Sequence, residues 1–128
     1  MSRYLLDTHV VLWLATDPGK LSKKVLDILV SNAPKSVSIA SVWEVAIKLS
    51  RGGLEFKGGI DEFYKIADSN NLTVLQLRRP FLKFIETLDF NIHKDPFDRM
   101  IIATAAIEDM TIITIDKNIQ KYDIAWAW

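Results

Sequence analysis

The chain contains no cysteine. That removes disulfide frameworks and thiolate metal sites, and it fits a reducing compartment, so a cytoplasmic location is the expectation. Net charge is also missing, because 16 basic residues balance 16 acidic ones. Without a global cationic field, contact with nucleic acid has to rest on local patches or on metal ions. Long apolar runs are absent as well. Val10 to Ala15 falls far short of the roughly 20 residues that cross a bilayer. Tyr4-Leu5-Leu6, cut off by Asp7, is too short for a signal peptide, so no membrane role is expected. Neither G-x-G-x-x-G nor G-x-x-x-x-G-K-[ST] occurs, which excludes those phosphate-binding loops. No serine sits in a G-x-S-x-G elbow. His9 and His93, the only histidines, are too scattered to signal zinc. His93 reads as a loop hydrogen-bonding residue, with an approach to substrate as the alternative.

What is present is a core. Hydrophobic residues make up 49% of 128 residues, enough for one folded domain over 1–128. Short apolar stretches alternate with helical patterns. Strands are expected at Arg3–Leu6, Ser36–Ile39, Leu72–Leu77, Thr111–Ile115 and around Asp123–Ala125. Helices are expected from His9 to about Ala15, Ser22 to about Ser31, Ser41 to Leu49, Asp61 to about Asp68, and Pro80 through Leu88. Strands alternating with helices point to an α/β fold, a three-layer α/β/α sandwich around a mostly parallel sheet.

The most informative stretch is Asp95-Pro96-Phe97-Asp98-Arg99 followed by Met100 to Ala106. Asp95 suits an N-cap, Pro96 the first helical position, and Asp98 the first turn near the positive end of the helix dipole. Asp98 also heads an apolar stripe through Ile102 and Ala105, so it points along the core. A carboxylate there is costly unless paired or bound to a metal.

Three more acids bear on that point. Taken alone, each has a plain structural role. Asp7 can cap the helix after the first strand, Glu44 follows Ser41 at capping-box spacing, and Asp116 fits a turn. Taken together they differ. Asp7 and Asp116 follow expected parallel strands at their carboxyl ends, the edge where open α/β sheets bind ligands. Glu44 and Asp98 belong to first turns expected near the same edge. Four carboxylates meeting there repel unless cations hold them. Without cysteine or clustered histidine, such ligands select Mg²⁺ or Mn²⁺, which suits phosphate-ester chemistry.

These blocks carry a family resemblance. Leu5-Leu6-Asp7-Thr8-His9 with Leu12-Trp13, Ser41-Val42-Trp43-Glu44, Asp95-Pro96-Phe97-Asp98-Arg99 with Ile102-Ala103-Thr104-Ala105, and Thr114-Ile115-Asp116 resemble the PIN-domain ribonucleases. The likeness is greatest to the VapC-like toxins of toxin–antitoxin pairs, and it spans nearly the whole chain. It implies a PIN-like fold and a Mg²⁺- or Mn²⁺-dependent endoribonuclease that leaves a 5′-phosphate and a 3′-hydroxyl. It also implies inhibition by a small antitoxin protein that fills a hydrophobic groove. By the same resemblance Asp7, Glu44, Asp98 and Asp116 match the family's four acids in order. Asp7, Asp98 and Asp116 are then metal ligands, direct or through water, and Glu44 is either a ligand or the group that orients the attacking water. Thr8 and Thr114 match hydroxyls that orient ligands, and Asp95 is a cap or an outer partner of the acids.

Other residues stay open. Arg99 either neutralises a substrate phosphate or pairs with Asp95. Lys48, Arg51, Arg78, Arg79, Lys94 and Lys117 either line an RNA path or form solvated surface. Trp43 is expected in the core. Trp13, with Val10, Val11 and Leu14, carries more apolar surface than one face of a short helix buries, which points either to core or to a homodimer or antitoxin groove, with core the first reading. Two other functions compete: a catalytically silent PIN-like module that binds RNA or protein, and a different metal-dependent phosphoesterase. The latter typically carries D-x-D after the first strand, where this chain has Asp7-Thr8-His9.

Overall fold

A computed structural model describes residues 2–128. Five parallel strands form one sheet in the order β3-β2-β1-β4-β5. They are β1 (Tyr4–Leu6), β2 (Lys35–Ser38), β3 (Leu72–Leu75), β4 (Thr111–Ile113) and β5 (Trp126–Ala127). Seven α-helices connect them: α1 (Thr8–Thr16), α2 (Lys23–Val30), α3 (Ile39–Ser50), α4 (Gly59–Ser69), α5 (Arg79–Thr87), α6 (Pro96–Glu108) and α7 (Lys117–Gln120). The α/β expectation therefore holds. The last strand lies three residues later than expected, because the chain turns through Tyr122–Ala125 before it pairs Trp126 with Ile112.

Strand periodicity divides the core. Leu6 is in register with Val37 and Ile113, and Leu5 with Ile112. Successive strand side chains point to opposite faces. Leu6, Val37 and Ile113 accordingly pack with Val10, Val25, Val45 and Phe63, from α1, α2, α3 and α4. Leu5 and Ile112 pack with Ile101, Ile102 and Ala105 of α6 and Ile119 of α7. A third cluster, Ala40, Phe81, Met100 and Ala103, joins α3, α5 and α6. Central strands covered on both faces explain why β1 and β4 are short and wholly apolar beyond their first residues.

The topology fixes where a site can form. After β1 the chain builds the sheet outward through β2 and β3, then returns to add β4 on the other side of β1. Connections therefore leave β1 and β4 in opposite directions, and a crevice opens between their carboxyl ends.

Candidate active site

Asp7 directly follows β1, and Thr114 directly follows β4, on the two sides of that crevice. They are joined: the Thr114 hydroxyl donates to Asp7 Oδ2 at 2.6 Å. The same Thr114 oxygen accepts from the Asp116 backbone N–H at 3.0 Å. One buried hydroxyl thus sets both the first acid and the loop that carries the fourth.

Each aspartate also caps a helix. Asp7 Oδ1 accepts from the His9 N–H at 3.0 Å, and Asp116 Oδ1 accepts from Asn118 N–H at 2.7 Å and Ile119 N–H at 3.3 Å. Capping uses only one oxygen of each group. In Asp116 the other, Oδ2, faces His93. The structural and chemical readings of these acids are therefore compatible. Asp95 is the N-cap of α6, its Oδ1 accepting from Phe97 and Asp98 N–H at 2.9 and 3.0 Å.

Asp98 sits in the first turn of α6 and is largely buried. His93 Nε2 lies 2.7 Å from its Oδ2 and 3.8 Å from Asp116 Oδ2. One ligand atom from each of His93, Asp98 and Asp116 falls within 4.8 Å of the others. Burial pushes the Asp98 carboxyl from its ordinary 3.8 up to about 7, with the charges of Asp7 and then Asp95 adding to the effect and His93 opposing it. Asp7 is thus close enough to repel Asp98 while belonging to the neighbouring strand. Two carboxylates and an imidazole at ligand spacing, one carboxyl resisting ionisation, make a donor set that a divalent cation would relieve.

Glu44 departs from expectation. α3 begins at Ile39 and its cap is Ser38, whose hydroxyl accepts from Ala40 N–H at 3.0 Å. Glu44 is therefore in the second turn, and the Ser41 spacing is no capping box. It is buried and already neutralised. Lys48 Nζ donates to its Oε2 at 2.7 Å, and the Thr8 hydroxyl, itself 2.8 Å from Ser41 Oγ, donates to Oε1 at 2.8 Å. Glu44 and Asp7 both lie outside the ligand-spaced group of His93, Asp98 and Asp116. The Asp7 carboxylate, 3.8 Å from Nδ1 of exposed His9, holds that imidazole above its ordinary 6.5, with Glu44 contributing.

Two further expectations are corrected. Arg99 does not pair with Asp95, and its guanidinium is engaged by the chain's own carbonyls. It is 7% exposed and donates to four carbonyl oxygens: Asp89 and His93 through Nη1, both at 3.1 Å, and Leu88 and Ile85 through Nη2 at 3.0 and 3.4 Å. A fixed fork of donors fits such a set of acceptors, and four carbonyls on its two Nη groups compensate the burial of the charge. Trp43 is 57% exposed rather than core and meets Phe97 edge-on at 5.1 Å. It lines an apolar groove with Leu77, Leu82, Phe90 and Met100. Trp13 packs edge-on against Trp128 at 6.0 Å, so the terminal tryptophan is taken up by its own chain. Among the cationic candidates, Lys48 is paired with Glu44 and Arg78 with Glu108. Arg51, Arg79, Lys94 and Lys117 are exposed. His93 is the residue that sequence reasoning set aside. Its only signal was its place two residues before the α6 cap.

The PIN-domain family model matches residues 4–125. Curated protein sequences gave no match. Among solved structures, the chain is similar to VapBC2 from Rickettsia felis bound to a promoter DNA fragment, with TM-score 0.72, 14% identity, and coverage of 97% of this chain and 96% of that one. It is similar to DNA-bound VapBC from Salmonella typhimurium, with TM-score 0.70, 12% identity and coverage of 99% and 98%. VapBC-1 from nontypeable Haemophilus influenzae gives TM-score 0.67, 20% identity and coverage of 97% and 96%.

Proposed function

This chain belongs to the PIN-domain family, and from that premise we propose that it is a divalent-metal-dependent endoribonuclease, the toxin of a toxin–antitoxin pair. One observation carries the reading. Buried Asp98, its carboxyl held near 7 chiefly by desolvation and by Asp7, stands at ligand spacing from Asp116 in the crevice between β1 and β4. A purely structural set of helix caps has no reason to converge in this way.

In this reading Asp7, Asp98 and Asp116 hold Mg²⁺ or Mn²⁺. The bound ion supplies Lewis acidity and a water of lowered pKa for attack on a phosphodiester. The protein does the remaining work. Thr114 fixes the orientation of Asp7 and the reach of Asp116. Thr8 and Lys48 occupy the two carboxylate oxygens of buried Glu44, so in this reading it orients water or substrate through those partners rather than filling the ligand set. Arg99 acts within the fold and touches no RNA. Exposed Lys94 and Lys117 flank Asp98 and Asp116 in sequence and are the cations best placed to meet the RNA backbone.

The same proposal includes a protein partner. The solved neighbours above are toxin–antitoxin complexes. The groove of Trp43, Leu82 and Phe90, each more than half exposed, is apolar surface of the kind that protein contacts cover. An antitoxin and a homodimer are the contacts proposed for this chain, at work in the cytoplasm. No helix among the described residues is long and apolar enough to cross a membrane.

The test uses purified, partner-free protein with a pool of structured and single-stranded RNAs, in Mg²⁺ or Mn²⁺ against EDTA, beside D98N. Cleavage that requires metal and disappears in D98N is the expected result. RNA binding without cleavage under any metal overturns the enzyme in favour of a binding module. Cleavage that survives D98N overturns the assigned site.

A further inference from the structure

His93 is delivered to the acid centre by a built loop. The segment between α5 and α6 has little regular structure of its own, yet its carbonyls are tied from two sides. Buried Arg99 donates to the carbonyls of Ile85, Leu88, Asp89 and His93. The Tyr122 hydroxyl, from beyond α7, donates to the Asp89 carbonyl at 2.8 Å. The Phe90 ring closes over the guanidinium at 5.3 Å. The His93 side chain is 13% exposed, and its Nε2 faces the free oxygens of Asp98 and Asp116 rather than solvent. A loop residue that served only to fill space would not need a buried arginine spent on its backbone carbonyl.

Resting on the metal-dependent reading above, we infer that His93 Nε2 is a nitrogen ligand of the centre, beside Asp98 and Asp116, and that it biases the site toward Mn²⁺ over Mg²⁺. Imidazole is a ligand for ions of intermediate softness, whereas Mg²⁺ takes oxygen donors and keeps its waters. A centre built only of carboxylates would not discriminate in this way. To bind an ion, Nε2 would have to offer its lone pair, so any proton between Nε2 and Asp98 Oδ2 would be released to solvent on binding. Arg99 is a positioning residue in this scheme, since it acts through the backbone of residue 93.

The experiment is pulsed electron paramagnetic resonance on untagged protein loaded with Mn²⁺, with calorimetric titration of Mn²⁺ and Mg²⁺ alongside. The chain has two histidines, so ¹⁵N-histidine labelling and H9Q together identify the nitrogen without relying on a variant at residue 93. The expected result is a histidine nitrogen coupling that changes on labelling, persists in H9Q and is lost in H93Q. H93Q is further expected to weaken Mn²⁺ by roughly tenfold or more and to leave Mg²⁺ nearly unchanged. Mn²⁺ bound in an Asp98-dependent manner with no histidine coupling overturns the inference and leaves the metal-dependent reading standing. Coupling that vanishes in H9Q also overturns it. Absence of any Mn²⁺ binding that D98N removes overturns both.

Discussion

Replacing Asp98 by asparagine should stabilise the metal-free protein, and by an amount that grows with pH. The wild-type carboxyl titrates near 7 in the folded chain, against an ordinary 3.8, chiefly because it is desolvated and secondarily because Asp7 repels it. Its side chain is only 15% exposed, so solvent screening is limited. The folded state therefore binds the proton more tightly than the unfolded state. Stability is full below the unfolded value and falls as pH rises from about 4 to about 7, where the ionised carboxylate must be kept buried. At pH 8 the full penalty corresponds to about 4 kcal/mol, and between pH 5 and pH 8 it grows by about 2–3 kcal/mol. Asparagine is nearly isosteric and carries no charge. It forfeits the bond between His93 and the carboxylate, a loss of about 1–2 kcal/mol that offsets part of the gain. Urea denaturation of wild type and D98N in EDTA at pH 5 and pH 8 measures the difference directly. The advantage of D98N should rise between the two pH values. Adding Mn²⁺ at 100 times its dissociation constant should then roughly cancel the pH 8 advantage of D98N, and at 1,000 times reverse it, since the ion contributes about 2.7 and about 4.1 kcal/mol to the wild type alone. A difference that is flat or shrinking with pH would refute the claim that buried charge at Asp98 is the centre's defining strain.

Two other substitutions probe the supports of the site. T114V removes the hydroxyl that serves Asp7 Oδ2 and the Asp116 N–H together, so thermal denaturation should show a loss of about 1–3 kcal/mol, and metal affinity should fall with it. R99K keeps the charge but cannot reach four carbonyls at once. It should cost about 2–4 kcal/mol, and hydrogen exchange should show faster opening confined to residues 85–95.

How much of this was legible in the sequence depends on how local each signal is. The wholly apolar Leu5-Leu6 and Ile112-Ile113 announce central parallel strands, and the structure has them at register. Asp95-Pro96 announces the start of α6, and Asp95 does cap it. Where two local signals compete, the sequence misleads. Ser41 and Glu44 have capping-box spacing, but β2 ends at Ser38 and the helix begins at once, so Ser38 takes the cap and Glu44 turns inward to Thr8 and Lys48. α3 is apolar on several sides, through Ile39, Val42, Trp43, Val45 and Ile47, so periodicity cannot tell that Trp43 is the exposed one. Arg99 and His93 fail for a different reason. Their partners are carbonyls of the α5–α6 segment and acids from the first turn of α6 and the cap of α7, and no pattern of residue types encodes a carbonyl's direction.

The topology also limits how the acids can be rearranged. Asp7 and Thr114 follow neighbouring strands that are in register, Leu6 against Ile113, so their separation is set by backbone pairing and not by side-chain choice. Asp98 is set by a different constraint, the packing of Ile101, Ile102 and Ala105 against Leu5 and Ile112 on one face of the sheet. A slip of α6 by one residue would rotate Asp98 by about 100° around the helix axis and lift it out of the crevice while burying Arg99 or Phe97 in its place. The hydrophobic stripe below Asp98 is thus what holds a buried carboxyl against the repulsion of Asp7. It follows that core residues of α6 far from any metal or RNA control the charge density of the centre. The same packing that stabilises the fold keeps the acids closer together than they would choose in water.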